Sequence, residues 1–197
     1  MRPGTGAVDR FWRLAYLTPM AIREILKLPD PMLRRVAEPV AKVDDSVRAL
    51  MADMLDTMYA APGIGLAAVQ VGVARRIVVA DCAGKDEEPE PLYFVNPEIV
   101  WTSDETAEHE EGCLSIPEVY EMITRPAACR VRYRDERGKR RERDCEGLLA
   151  RCIQHEVDHL DGILVIDHIS RLKRDRIVRK FQKAAKERER EREKGAA

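Results

Sequence analysis

Apolar residues recur at three- and four-residue steps through Val47, Leu50, Met51, Met54, Leu55 and Met58, the stripe of a helix that buries one side. Asp44, Asp45 and Ser46 precede it, and each can accept a hydrogen bond from the free N–H groups of a first helical turn. Pro62 and Gly63 stop it and open a glycine-rich turn. Between Arg75 and Glu146 the pattern changes. Ile77-Val78-Val79, Tyr93-Phe94-Val95 and Val131-Arg132-Tyr133 are short β-favouring runs, and Asp135-Glu136-Arg137-Gly138 reads as a hairpin turn. From Gly147 to Asp161 the helical period returns, with Leu148, Leu149, Cys152, Ile153 and Val157 apolar. A last helix is predicted from about Ser170 onward, with Leu172, Ile177, Val178 and Phe181 as a thin apolar stripe that docks its first turns on the body. This order implies an α+β fold in which antiparallel β-sheets surround a central helix and a charged helix ends the chain.

Regular patterning begins near Met20. Residues 1–19, with Pro3, Gly4, Gly6 and Pro19 and no period, are expected to be a poorly ordered extension, a mis-set start or a short targeting segment. Residues 20–170 form the expected globular domain, and residues 171–197 a charged helix and tail. A chain of 197 residues has room for one domain with a substantial core. Its 35% charged residues are many, and the net charge of −1 hides an asymmetry. The stretch from Arg171 to Lys194 carries +7, which leaves −8 for the rest. Such a tail suits a polyanionic partner; a solvated charged helix is the plainer alternative. No apolar run approaches the roughly 18 residues of a membrane span, and Phe11–Leu17 is too short and interrupted for a secretory core. Five cysteines at irregular spacing argue against a disulfide framework and for a reducing cytoplasm. Cys82, Cys129 and Cys145 are expected to be small buried hydrophobes.

The candidate chemistry lies in Gln154-His155-Glu156-Val157-Asp158-His159-Leu160. Residues four apart share a helix face with Cβ atoms roughly 6 Å apart, so His155 and His159 can point at one metal ion. Glu156 sits one position around, where it can handle a proton on an attacking water. A metzincin extension would set a histidine at position 165, which holds Val165. The glutamate that thermolysin-like enzymes take from a later helix has no counterpart between Asp175 and Glu187. The strong remaining third donor is Cys113 in Glu111-Gly112-Cys113-Leu114-Ser115. One thiolate and two imidazoles leave a fourth tetrahedral position open. A buried free cysteine and a nucleophile paired with histidine are the competing roles for Cys113.

A third block, Gly63-Ile64-Gly65-Leu66-Ala67-Ala68-Val69-Gln70, lacks the Lys and Ser/Thr of a phosphate loop. Together with EGCLS and QHEVDHL it resembles the peptide deformylase family, over roughly Met20 to Ser170. The resemblance implies a metal-dependent hydrolase acting on N-formyl-methionyl nascent peptides, with zincin-like peptidase as the alternative. It implies one Fe²⁺ per chain, or Zn²⁺, Ni²⁺ or Co²⁺ as substitutes, held by Cys113, His155 and His159. Glu156 would move the proton, and Gln70 and the Leu114 N–H would donate to the oxyanion. Gly65, Ile64, Glu111, Leu148 and Cys152 would contact substrate, with Asp158 and Arg125 behind the ligands. Arg151 and His109 depart from the apolar residues many relatives carry near the methionine pocket. Ribosome contact through the basic C-terminal helix is a further implication; no membrane or DNA partner is expected.

Overall fold

The computed structural model describes residues 21–84 and 87–195, so the expectation for residues 1–19 lies outside the described residues. Helix α1 spans Asp45–Ala60, and the Asp44 carboxylate caps it by accepting from the Val47 N–H at 3.1 Å. Seven strands follow: β1 Gly65–Ala67, β2 Ile77–Ala80, β3 Leu92–Thr102, β4 Thr106–Cys113, β5 Ile116–Pro126, β6 Ala128–Arg134 and β7 Arg140–Glu146. Helix α2 covers Gly147–Leu160 and helix α3 Arg171–Gly195. Five strands make one antiparallel sheet in the order β1-β2-β3-β6-β7; β4 and β5 form a separate hairpin. The class is α+β, with antiparallel sheets and three α-helices.

The five-stranded sheet is covered on both sides, which explains why β2 is apolar throughout instead of alternating. Ile77 and Val79 join the α1 stripe of Val47, Met51, Met54 and Met58. Val78 and Ala80 face the other way, onto Ala150, Ile153, Val157 and Leu160 of α2. Helix α2 also packs against β5 of the hairpin. A third cluster joins Cys113, Ile116 and Ile123 of the hairpin to Leu164, Val165, Ile166 and Phe181.

Three elements depart from the sequence reading. The run Tyr93–Val95 belongs to an eleven-residue strand that continues through Pro97 to Thr102. Register shifts lie between Val95 and Glu98 and between Ile99 and Trp101, the kind of irregularity that admits a proline into a sheet. The Asn96 side chain supplies what a strand neighbour would, accepting from the Val40 N–H at 2.7 Å and donating to its carbonyl at 2.8 Å. The glycine-rich block is not only a turn: Gly65–Ala67 pairs with β2 as Gly65↔Ala80 and Ala67↔Val78. Leu172 does not dock with the rest of the tail's apolar positions. It is 70% exposed, whereas Ile177, Val178 and Phe181 pack on the third cluster, because a nine-residue step at about 100° per residue puts Leu172 opposite Phe181. Among the described residues no helix is long and apolar enough to cross a membrane.

Helix α2 ends in a tight left-handed turn. Gly162 adopts φ +74, and the Ile163 N–H reaches back to the Asp158 carbonyl at 2.9 Å, the bond of a Schellman cap. A Cβ at Gly162 would lie 2.6 Å from the Arg34 carbonyl oxygen. Gly162→Ala is therefore expected to lower stability by about 1–3 kcal/mol, read as a lower urea midpoint. An unchanged midpoint would mean that the turn and the Arg34 segment relax freely.

Candidate metal centre

Helix α2 is buried on nearly every side, so its polar residues need partners. The ligand atoms of Cys113, His155 and His159 all lie within 4.8 Å of one another, and Cys113 Sγ sits 3.2 Å from His159 Nε2. The glycine at 112 lets the hairpin close tightly: a Cβ there would lie 2.7 Å from the Tyr120 ring. Burial pushes the Cys113 thiol up, but the adjoining imidazoles outweigh it and hold the thiol well below its ordinary value. For His155 burial works downward, and the bonds to Cys113 and Glu111 raise it. One soft sulfur and two imidazoles are the donor set of a borderline divalent ion such as zinc or iron(II). Among the described residues the buried side-chain atoms without a hydrogen-bond partner are Glu156 Oε2 and His159 Nδ1. The Glu156 oxygen stands beside the donor atoms, free to meet a water, and the sulfur and imidazole donors fit a bound ion.

A salt-bridged relay sets the first histidine. Glu111 Oε2 lies 3.0 Å from His155 Nδ1, and a carboxylate there fixes the proton on Nδ1 and leaves Nε2 as the free donor atom. Arg125 grips Glu111 with two bonds of 2.7 and 3.1 Å and reaches Asp158 at 2.8 Å. His168 Nε2 lies 2.7 Å from the same Asp158 oxygen. Burial would raise the Glu111 carboxyl, yet His155 and Arg125 hold it at about 2. Glu156 has no such partner, and its carboxyl is raised, chiefly by burial.

The opposite side of the cluster is glycine and amide. A Cβ at Gly65 would lie 2.6 Å from Cys152 Sγ and 2.7 Å from Glu156 Oε1, so only a glycine lets β1 pass this close to the helix. Gln70 is 1% exposed, and its carbonyl accepts from the Ala67 N–H at 2.8 Å. That bond turns the amide NH₂ toward Ser115 Oγ at 3.2 Å and Cys113 Sγ at 3.8 Å.

A cavity of about 510 Å³ opens on these groups. Gln70, Cys113, Leu114, His155 and Glu156 line it, as do Ile64, Gly65, Glu111 and Cys152. His159 is buried behind Cys113, with Asp158 and Arg125 behind Glu111. Leu148 was expected at the substrate and is not in the lining; it lies on the first turn of α2, 39% exposed. Of the two unusual positions, Arg151 lines the cavity, whereas His109 is exposed on β4 opposite Ile123 and does not. Sequence reasoning missed Lys27, whose ammonium donates to the Leu114 carbonyl, together with Ser115 and His168. Ser115 stood inside a motif already quoted; Lys27 and His168 carried no local signal.

Similarity to known proteins agrees with this geometry. A family model described as Polypeptide deformylase matches residues 22–175. The peptide deformylase of Phenylobacterium zucineum is 60% identical over 167 residues, which are 85% of this chain and 99% of that protein. Among solved structures, the Ehrlichia chaffeensis peptide deformylase in complex with actinonin is 41% identical, with a TM-score of 0.80 over 84% of this chain and 98% of that one. The Met-Ala-Ser-bound class I type b peptide deformylase of Acinetobacter baumannii is 31% identical, with a TM-score of 0.73 over 77% and 100%.

Arg125→Ala leaves two carboxylates without their cation in a buried setting, a loss of about 3–5 kcal/mol. A carboxyl held at about 2 contributes stability that is complete above its unfolded value of about 4.3 and is lost as pH falls through the folded one. The variant should thus show a lower urea midpoint at about pH 7. Its gap to wild type should narrow as pH is taken from about 5 toward about 3. A gap independent of pH would detach Glu111 from the network.

Proposed function

The chain belongs to the polypeptide deformylase family, and from that premise we propose how its residues remove the N-formyl group from nascent peptides, releasing formate. The activity is that of a hydrolase, and a zincin-like peptidase is not favoured. The observation that carries the residue assignment is the convergence of Cys113, His155 and His159 beside a glutamate oxygen without a partner.

Cys113, His155 and His159 would hold one ion, which we read as Fe²⁺ with Zn²⁺, Ni²⁺ or Co²⁺ as substitutes. When bound, such an ion supplies Lewis acidity that polarises a carbonyl and acidifies water. Glu156 takes the proton from the attacking water at its carboxylate and returns it to the departing methionine amine. Its raised proton affinity suits both halves of that exchange. Gln70 donates from Nε2 to the formyl oxygen as negative charge develops there. The Ala67 N–H already fixes its amide, so little reorganisation is needed during the reaction. The Leu114 N–H is the second donor, and Lys27 holds the following peptide unit by donating to the Leu114 carbonyl. Glu111, Arg125 and Asp158 orient His155. Ile64 and Gly65 offer backbone to an extended peptide at the free edge of β1, which pairs only with β2. Recognition through main-chain bonds suits an enzyme that meets many sequences. Cys152 forms part of the methionine-binding wall.

Residues 20–170 are the proposed catalytic domain, working in the cytoplasm, and 171–197 the proposed ribosome-facing helix. Arg176, Arg179, Lys180 and Lys183 are exposed on α3 around the docked Phe181, and the alternating run from Glu187 to Glu193 is nearly neutral. The basic surface therefore lies in the first half of the helix.

Three tests bear on these assignments. Purified enzyme should release formate from formyl-Met-Ala-Ser and leave internal peptide bonds intact. Cys113→Ala should lose its stoichiometric metal by elemental analysis. Glu156→Ala should keep the metal and lose turnover by about 10²–10⁴-fold; full metal in Cys113→Ala would remove the cysteine from the ligand set. For the tail, changing Arg176, Arg179, Lys180 and Lys183 together to Ala should weaken low-salt cosedimentation with ribosomes, since phosphate contacts are strongly salt-dependent. Formate release from the free tripeptide should persist. Equal cosedimentation across a salt series would leave α3 a solvated helix.

A further inference from the structure

Arg151 lies on α2 one turn before His155, half-buried in the cavity wall. Most half-buried arginines of this protein have a carboxylate within 4.0 Å, among them Arg23 with Asp53, Arg76 with Asp161, Arg143 with Glu90 and Arg174 with Asp167; Arg134, which does not line the cavity, is an exception among the described residues. Arg151 forms no such pair among the described residues. Its surroundings account for this. Its charge acts on the thiols of Cys82 and Cys152, lowering both, and Cys152 shares the cavity wall with it. The Asp81 carboxylate nearby is already engaged by the Tyr59 hydroxyl and the Ala83 N–H. In the cavity Glu111 is held by Arg125 and Glu156 is fully buried, while Glu110 and Glu118 stand on the hairpin wall without an ion pair to Arg151.

A guanidinium that is partly desolvated and lacks a fixed partner is a standing demand for an anion, and its planar fork matches a carboxylate with two bonds. The ligand that enters this cavity is, on the reading given under Proposed function, a formylated peptide. One helical turn advances about 5.4 Å, close to two residues of an extended chain at about 3.3 Å each. A side chain as long as arginine, in the cavity wall one turn from the metal-binding histidine, has the length to reach the residues just behind the methionine.

We propose that Arg151 is a specificity residue that selects formyl-methionyl peptides bearing an acidic side chain at the second or third position. The interaction lies away from the reacting carbonyl, so it strengthens ground state and transition state alike and acts mainly through KM. Partial exposure keeps it modest, about three- to tenfold in kcat/KM.

The test compares formate release from formyl-Met-Asp-Ser with formyl-Met-Lys-Ser, and from formyl-Met-Ala-Asp with formyl-Met-Ala-Lys. The enzymes are wild type, Arg151→Leu, Arg151→Gln and Arg151→Lys. The acid-to-base ratio within each protein cancels any general change in activity or folding. The expected result is a ratio of about three to ten at one of the two positions in wild type, expressed in KM and weakened by added salt. It should be retained in part by Arg151→Lys and fall to about one in Arg151→Leu and Arg151→Gln. Ratios near one at both positions in wild type, or a ratio that survives both uncharged variants, would overturn the proposal. Wild-type enzyme inactive on formyl-Met-Ala-Ser would instead remove the deformylase assignment, and the specificity role with it.

Discussion

The constraint on which this structure depends is that a buried helix carries a polar stripe. Four consecutive residues of α2, Gln154 to Val157, are buried together with His159, and several of them cannot be left without partners at acceptable cost. The β4–β5 hairpin answers that demand. It brings Cys113 to the two imidazoles, Glu111 to His155, and Arg125 to neutralise Glu111 and Asp158 at once. The same contacts that satisfy the helix build the candidate metal centre. Fold and chemistry are therefore hard to separate at this interface, where the buried atoms left without a partner among the described residues are an oxygen of Glu156 and Nδ1 of His159.

On the other side of the centre the determining property is thinness. Strand β1 runs against α2 at Gly65, and the Gln70 amide is pinned within the same short segment. The two-faced sheet behind it, with Ile77 and Val79 on α1 and Val78 and Ala80 on α2, gives this edge a rigid backing. In the proposed mechanism a donor fixed in advance needs little rearrangement when charge develops, and here the Ala67 N–H supplies that fixity.

What the sequence made legible was whatever is encoded locally. The α1 stripe and its Asp44 cap, the apolar run of β2 and the histidine spacing on α2 each follow from periods of a few residues. What it concealed depends on distant partners. The β4–β5 hairpin has few apolar residues to alternate, because Thr106–Glu110 are largely exposed and its order comes from cross-strand pairing. Pro97 hid the continuation of β3, which survives through a bulge and the Asn96 clasp. Lys27 reaches Leu114 across 87 positions, and no window of sequence contains that contact. Leu172 shows the reverse, an apolar position on a helix that is exposed instead of docked.

The three candidate ligands come from two layers of the fold, with 41 residues between Cys113 and His155. In an unfolded chain those donors are far apart, and closing the loop between them carries an entropic penalty before any bond to an ion forms. An ion held at this centre is thus bound by the folded state far more tightly than by the unfolded one. Each tenfold rise of free ion above its dissociation constant adds about 1.4 kcal/mol to the folding free energy. The quantity of folded protein is then a function of metal supply, and a cell short of that ion would face a pool more exposed to proteolysis as well as a slower enzyme.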